Sequence, residues 1–382
     1  MKVALVHDYI KEYGGAERVL EALHELYPDA DVYTTVYLPS YLGPHKARFK
    51  DWKIKTSFLQ YIPFKAKLIS PLRLLSPLAF KTFDFSGYDV VIVSATGAYF
   101  PNSINTKRYA LSAMRTMHIC YCHTPPRYLY GYATAREWKN NIILRIIGES
   151  MNHFLRIIDF NASRNVDLFI ANSQEVKGRI RKFYRKEAVV VYPPVDMAES
   201  AGQRAQGEKR EYFLTGGRLA RAKHVDLIVA ACSELGVPLK VFGKAFAGYG
   251  EELREIAMRN ALSARRSSVE FLGEVNDQEK LELMRGAKAF LFASEDEDFG
   301  ITPVEAMGQG APVIAYRSGG VKETIDEGKT GLFVDQLTKE SLMDQLKVFD
   351  RKRFKAEDCV VQAEKFSKKR FLKEISKVVS SK

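Results

Sequence analysis

A chain of 382 residues, 46% of them hydrophobic, is long enough for two domains of ordinary size, each with its own core. A formal net charge of +12 points to an anionic partner, while four cysteines (Cys120, Cys122, Cys232, Cys359) make no disulfide framework and suit a reducing cytosol. The longest apolar runs, "DVVIVSAT" and "AKAFLFAS", are strand-sized and fall short of the roughly 18 residues of a membrane span.

The opening "MKVALVHDYI" has one basic residue and a short apolar run cut off by Asp8, so it predicts a first strand over 2–7 rather than a leader. Behind it, "HDYIKEYGGAERVL" sets Gly14 and Gly15 at the start of a helix that turns Val19, Leu20, Leu23 and Leu26 inward. Free backbone N–H groups and the positive dipole end favour a phosphate there. The same pair also reads as a plain tight turn, and the G-x-G-x-x-G fingerprint is absent. Further strands are predicted at 31–37, 89–95, 116–122, 166–172 and 188–192. Residues 46–83 hold nine Lys/Arg against one acid, Asp51, mixed with Trp52, Phe58, Leu59, Tyr61, Ile62 and Phe64. That mixture suits an anionic lipid headgroup zone, or else a solvated basic face.

In "HICYCH", alternation puts His118, Cys120 and Cys122 on one strand face, yet no second ligand cluster completes a tetrahedral set, so no metal site is expected. His123 ends that strand ahead of a Thr-Pro-Pro turn, with Arg127 beyond. A strand-end histidine on a loop held by two prolines is a candidate functional group.

Residues 192–211, rich in Pro, Gly and Gln, form the candidate hinge. Beyond it strands recur as "YFLTGG", "LKVFG", "VEFLGE", "AFLFAS", "PVIAY" and "GLFV", and after residue 336 only helices are predicted. The last of these places Phe366, Phe371, Ile375 and Val379 on one side. The class is therefore α/β, with two Rossmann-like domains expected to face each other across a cleft at the carboxyl ends of their parallel strands.

Two loops of the second half carry the chemistry. One follows the strand ending at Thr215 and presents Gly216, Gly217, Arg218 and Lys223, two cations beside a close-approach turn that suit a departing pyrophosphate. Positive charge there opposes the dipole of the following helix, which an anion would offset. The other is "SEDEDFGITPVEAMGQG", which puts Glu297 on a strand-end loop, with Pro303 and Glu305 in the first turn of a helix, both carboxylates toward the cleft. Paired carboxylates serve acid/base chemistry or accept hydrogen bonds from vicinal hydroxyls, and the amides of Phe299, Gly300 and Ile301 can receive anionic oxygens. Glu305 also reads as a carboxylate that offsets the helix dipole.

Taken in order, "GGAER", "YCHTPPRYL", "ANS", "YPPVD", "GGRLARAKHVDLIV", "FLGEV", "EDEDFGITPVEAMGQGAPVIAY" and "GGVKETI" resemble the retaining GT-B glycosyltransferases of group 1, also called family four. The wording of "YCHTPPRYL" and "EDFGITPVEAMGQG" is most similar to the mannosyltransferase branch that builds O-antigen and other surface polysaccharides. The resemblance implies that Arg218 and Lys223 neutralise the donor diphosphate, with Gly14, Gly15 and Gly217 beside it. Glu305 would hold the ribose and Glu297 the transferred sugar, next to the Phe299, Gly300 and Ile301 backbone. His123 would contact that sugar, Glu274 and Val275 the nucleobase, and Asp8 and Arg127 the acceptor. It implies domains over 1–195 and 196–366, with the final helix, about 367–382, returning to the first. Asp298 stands where many relatives have glycine, which bears on the donor sugar.

The expected reaction is transfer of a hexose, mannose from GDP-mannose, with retention, onto a lipid-linked or oligosaccharide acceptor in lipopolysaccharide or related synthesis. No metal or cofactor is expected, since two cations take the metal's place. The protein is expected in the cytoplasm, peripheral to an anionic inner-membrane surface. A sugar-nucleotide epimerase on the same architecture is the alternative. A nucleic-acid-binding protein fits less well, because the basic residues cluster in one amphipathic segment and the tail.

Overall fold

Apolar, β-branched strands buried on both faces need helices on both sides, and the chain satisfies this twice. The computed structural model describes all residues except 107–115, 134–141, 197–209, 265–267, 351–353 and 381–382. Most of the hinge predicted at 192–211 thus lies outside the described residues.

The first sheet contains β1 (Val3–His7), β2 (Asp31–Thr34), β3 (Ile54–Thr56), β4 (Val90–Ala95), β5 (Met117–Cys122), β6 (Leu168–Ala171) and β7 (Ala188–Val190). All pairs are parallel, in the order β3-β2-β1-β4-β5-β6-β7. Period-two alternation divides its side chains. Val6, Val91, Val93, Cys120, Cys122 and Phe169 enter one core. Leu5, Val90, Ile92, Ile119, Tyr121 and Ile170 enter the other, against the helix Gly15–Leu26. His118 is buried on the side of Cys120, where its Nε2 lies 3.1 Å from Asn102 Oδ1. Strand β3 escapes the sequence reading because it is three residues long with an exposed lysine, Lys55, at its centre; an edge strand so built carries little apolar signal.

The second sheet contains β8 (Tyr212–Gly216), β9 (Leu239–Phe242), β10 (Val269–Gly273), β11 (Ala287–Phe292), β12 (Val313–Tyr316) and β13 (Gly331–Val334). It is again all parallel, in the order β10-β9-β8-β11-β12-β13. In each sheet the strand order reverses beside the first strand, at β1/β4 and at β8/β11. There the loops leave to opposite sides and open a crevice at the carboxyl ends.

The chain divides into two compact units: Met1–Tyr132 with Trp138–Pro194 and Phe371–Lys382, and Val195–Arg370 with 133–137. The last helix, Lys368–Ser380, therefore crosses a boundary. Its Phe371, Ile375 and Val379 are buried in the first unit, where Phe371 meets Tyr121 edge-on at 5.8 Å. Phe366, grouped with them on sequence, instead packs against Phe299 in the second unit, because it precedes the helix.

Phe371→Ala is expected to destabilise the first unit by about 3 to 5 kcal/mol, the usual range for emptying a fully buried aromatic site. Urea unfolding followed by the fluorescence of Trp52, which lies in that unit, measures it.

Candidate active site

At the β8/β11 crevice, strand β8 ends in a turn that only glycine can make. A Cβ on Gly243, after β9, would sit 1.8 Å from the Gly217 carbonyl oxygen, so the two strand-end loops touch backbone to backbone. Gly217 itself has φ of +107°, the left-handed region open to glycine. Arg218 follows, exposed, with its guanidinium 4.6 Å from the Phe246 ring centroid.

Lys223 ends a short 3₁₀ turn, Arg221–Lys223, and its Nζ pairs with Glu297 Oε2 from the loop after β11. Ser294 Oγ donates to the same carboxylate oxygen at 2.8 Å. The Glu297 loop is held from behind by its own backbone: the carbonyl of Glu297 accepts from the Gly320 amide at 2.8 Å. Gly319 has φ of +67°, and a Cβ there would meet the Glu297 carbonyl oxygen at 2.0 Å. The glycine pair of "GGVKETI" thus lets one loop press against the other.

The helix after this loop runs Ile301–Gly308, with Gly300 as its cap. Its position bears out Pro303 in the first turn and corrects the expectation for Glu305. Pro303 is third and Glu305 fifth in the helix, so Glu305 lies a full turn in and does not act on the dipole of the first turn. Its carboxylate is 4% exposed and accepts from Lys280 Nζ at 2.9 Å. Phe299 is buried, so only its backbone is available to a ligand. Farther out, Glu274 is exposed and pairs with Lys244 at 3.5 Å, with Val275 beside it.

In the first unit the strand ends carry a buried polar chain. His7 ends β1 in register with Ser94 of β4, and His123 follows β5. Ser94 Oγ lies 3.1 Å from His7 Nδ1 and 2.9 Å from His123 Nε2. His7 Nε2 in turn faces Glu17 Oε1 at 3.6 Å. At that distance Glu17 places a charge near the ring without a hydrogen bond to it. The Ser94 hydroxyl can donate to one ring nitrogen and accept from the other, which links the two imidazoles. Burial first, and then His7, push the His123 pKa down to about 3, so the ring is neutral at pH 7.

Glu17 also accepts from the Gly14 amide at 2.9 Å, which engages one of the two N–H groups expected to meet phosphate and leaves that of Gly15 to open the helix. Asp8 is buried. Its Oδ2 accepts from Thr96 Oγ1 and from the amides of Ala98 (3.2 Å) and Tyr99 (3.1 Å), tying the loop after β4 to β1. Its burial raises its pKa despite His7 and these bonds. Arg127 opens a one-turn helix, Arg127–Tyr130, and is partly exposed. Sequence reasoning missed Lys280, Ser294, His7, Ser94 and Glu17. For Ser94 a signal existed, since a serine in the otherwise apolar "DVVIVSAT" is out of pattern.

The chain as a whole matches known proteins. The chain fits the family models described as Glycosyltransferase Family 4 over residues 13–199 and Glycosyl transferases group 1 over residues 196–366. It belongs to the group 1 glycosyltransferases, which have the GT-B fold of two parallel-sheet α/β domains. It is 24% identical over 361 residues to the alpha-1,3/1,6-mannosyltransferase ALG2 of Mus musculus, covering 84% of this chain and 81% of that one. With the mannosylfructose-phosphate synthase of Agrobacterium fabrum it shares 30% identity over 171 residues, 42% of this chain but only 38% of that enzyme. Among solved structures, Anabaena HepE in complex with UDP superimposes over the whole of both chains with a TM-score of 0.68 at 19% identity.

Ser94→Ala removes the hydroxyl between two buried imidazoles and is expected to cost about 1 to 3 kcal/mol of stability. Histidine ¹⁵N spectra provide the specific check: the ring resonances of both His7 and His123 are expected to shift in the variant. Because its folded pKa lies below the unfolded value, the stability from neutral His123 is complete above about pH 6.5 and is lost as pH falls toward 3. His123→Gln should flatten the pH dependence of urea unfolding in that window.

Proposed function

We propose that this glycosyltransferase moves mannose from GDP-mannose, with retention at the anomeric carbon, onto a polyprenyl-diphosphate-linked glycan during surface-polysaccharide synthesis. The single observation that carries the transfer chemistry is the β8/β11 crevice. Adjacent parallel strands deliver two cations, Arg218 and Lys223, and two carboxylates, Glu297 and Glu305, to one edge. The mannosyl assignment is supported by the similarity to ALG2, named as a mannosyltransferase, and by the sequence motifs.

In this reading the C1–O bond to the diphosphate breaks while a C1–O bond to the acceptor hydroxyl forms on the same face. The acceptor proton passes to an oxygen of the departing diphosphate, so no protein carboxylate becomes a nucleophile. Arg218 and Lys223 offset the charge that develops on the leaving group, usually the largest catalytic contribution, and this makes a metal unnecessary. Glu305, held by Lys280, accepts from the ribose hydroxyls. Glu297 positions Lys223 before the donor arrives and accepts from the sugar afterwards, and His123 offers a ring nitrogen to a sugar hydroxyl. No described helix is long and apolar enough to cross a membrane. We therefore assign access to the lipid-linked acceptor to peripheral docking through residues 46–83, where Lys46, Lys50, Lys53 and Lys67 are exposed.

A screen of GDP- and UDP-sugars by donor hydrolysis should single out GDP-mannose, and the product should keep the anomeric configuration by NMR. A preference for a UDP-sugar overturns the donor assignment. Lys223→Ala is expected to lower turnover about a hundredfold or more, with no rescue by magnesium. Glu305→Ala should weaken GDP binding about ten- to a hundredfold by calorimetry, the value of one charge-assisted hydrogen bond. Unchanged GDP affinity would remove Glu305 from the ribose.

A further inference from the structure

The helix Ile142–Ser163 in the first unit has its polarity inside out. The face turned to the protein carries Asn152, which donates to the Tyr128 carbonyl at 3.4 Å, and Arg156, which donates to the Leu129 carbonyl at 2.8 Å. It also carries Asp159, buried, whose carboxylate accepts from Tyr130 Oη at 2.8 Å. Leu155, packed with Phe100 and Leu129, is the main apolar anchor. The opposite face carries Ile146, Ile147, Met151, Phe154, Ile157 and Ile158, all exposed, with Phe154 at 66% and Ile146 at 63%. The polar residues among them, Ser150, His153 and Asn161, carry no carboxylate. A soluble helix does the reverse, burying its apolar stripe. Six large apolar groups on one face form a patch that water does not favour and that marks an interaction surface.

This helix is fastened to the basic segment by shared supports. Phe100, which packs on Leu155, donates its amide to Ser76 Oγ at 3.3 Å. Tyr128, whose carbonyl receives Asn152, lies under the Arg73 guanidinium at 4.3 Å. The stretch so joined exposes Tyr61 (83%), Phe64 (78%) and Leu78 (58%) in a segment holding nine Lys/Arg and one acid. Apolar groups beside an excess of positive charge complement an anionic bilayer, which takes both. A second copy of the chain would meet that charge with its own.

We propose that the outward face of the helix Ile142–Ser163 lies in the plane of an anionic lipid bilayer, its isoleucines and Phe154 inserted at the headgroup–acyl boundary. The proposal rests on the docking reading above and deepens it. Lysines of the basic segment set the attraction, and this helix supplies an apolar hold that salt does not screen.

The test uses the full chain and flotation with vesicles of phosphatidylcholine alone or mixed with phosphatidylglycerol. Wild type is expected to float with the mixed vesicles and to retain part of that binding in high salt. Ile146→Glu with Phe154→Glu should lower the partition constant at least about tenfold and abolish the salt-resistant part, since burying one such side chain is worth about tenfold. Both positions are exposed, so circular dichroism and donor hydrolysis should be unchanged. Changing Lys46, Lys50, Lys53 and Lys67 to Glu instead should remove only the salt-sensitive part. If the double variant binds as wild type while the lysine variant does not, the helix proposal fails and the docking reading survives. If wild type ignores both vesicles, both fail. A wild-type dimer by light scattering that the double variant converts to monomer, without vesicle binding, assigns the face to a second copy and overturns the proposal.

Discussion

The ion pair between Lys223 and Glu297 is the constraint about which the strand-end edge of the second unit is organised. It joins loops leaving two adjacent strands, β8 and β11, on either side of the point where strand order reverses. Such a pair is half-buried and has lost part of its hydration, so it is held only where further donors share the charge; Ser294 and the cation's position 5.3 Å from the Phe292 ring centroid do so. The backbone contact of Gly319 on the Glu297 carbonyl fixes the loop from the other side. A second pair, Lys280 with Glu305, repeats the arrangement one helical turn deeper. Each carboxylate thus has a cation at hand, a setting suited to hydroxyl recognition and charge neutralisation.

The first unit uses a different device. Its polar chain from Glu17 through His7 and Ser94 to His123 is buried, with the Ser94 hydroxyl between the two rings. The glutamate that faces His7 also closes the Gly14 turn, so the helix start and the strand-end histidine share one neighbour. Rings held this way have few accessible orientations, which lowers the entropy lost when a ligand engages them.

Polarity along the chain follows from the same logic of what each face meets. The sheets read as apolar runs because helices cover both sides, and the C-terminal helix turns Phe371, Ile375 and Val379 into the first core. The helix Ile142–Ser163 breaks that rule with its apolar groups outward. Its supports, Phe100 and Tyr128, also meet Ser76 and Arg73 of the basic segment.

Periodicity and composition were sufficient for the α/β class, for two sheets and for twelve of the thirteen strands among the described residues. They sufficed because buried parallel strands must be apolar and their connecting loops must bend at Gly and Pro. The motif order was sufficient for the family, and residues at strand ends, Gly217, Arg218, Lys223, Glu297 and His123, could be singled out because a strand end is visible locally. Contacts between distant segments were not. Which carboxylate meets which lysine, the register that sets His7 against Ser94, the depth of Glu305 in its helix and the unit that receives Phe366 all depend on strand order and helix phase. Those are settled only when residues tens of positions apart pack together, because the energy that selects them comes from burial and pairing across the fold and leaves no periodic trace in the chain.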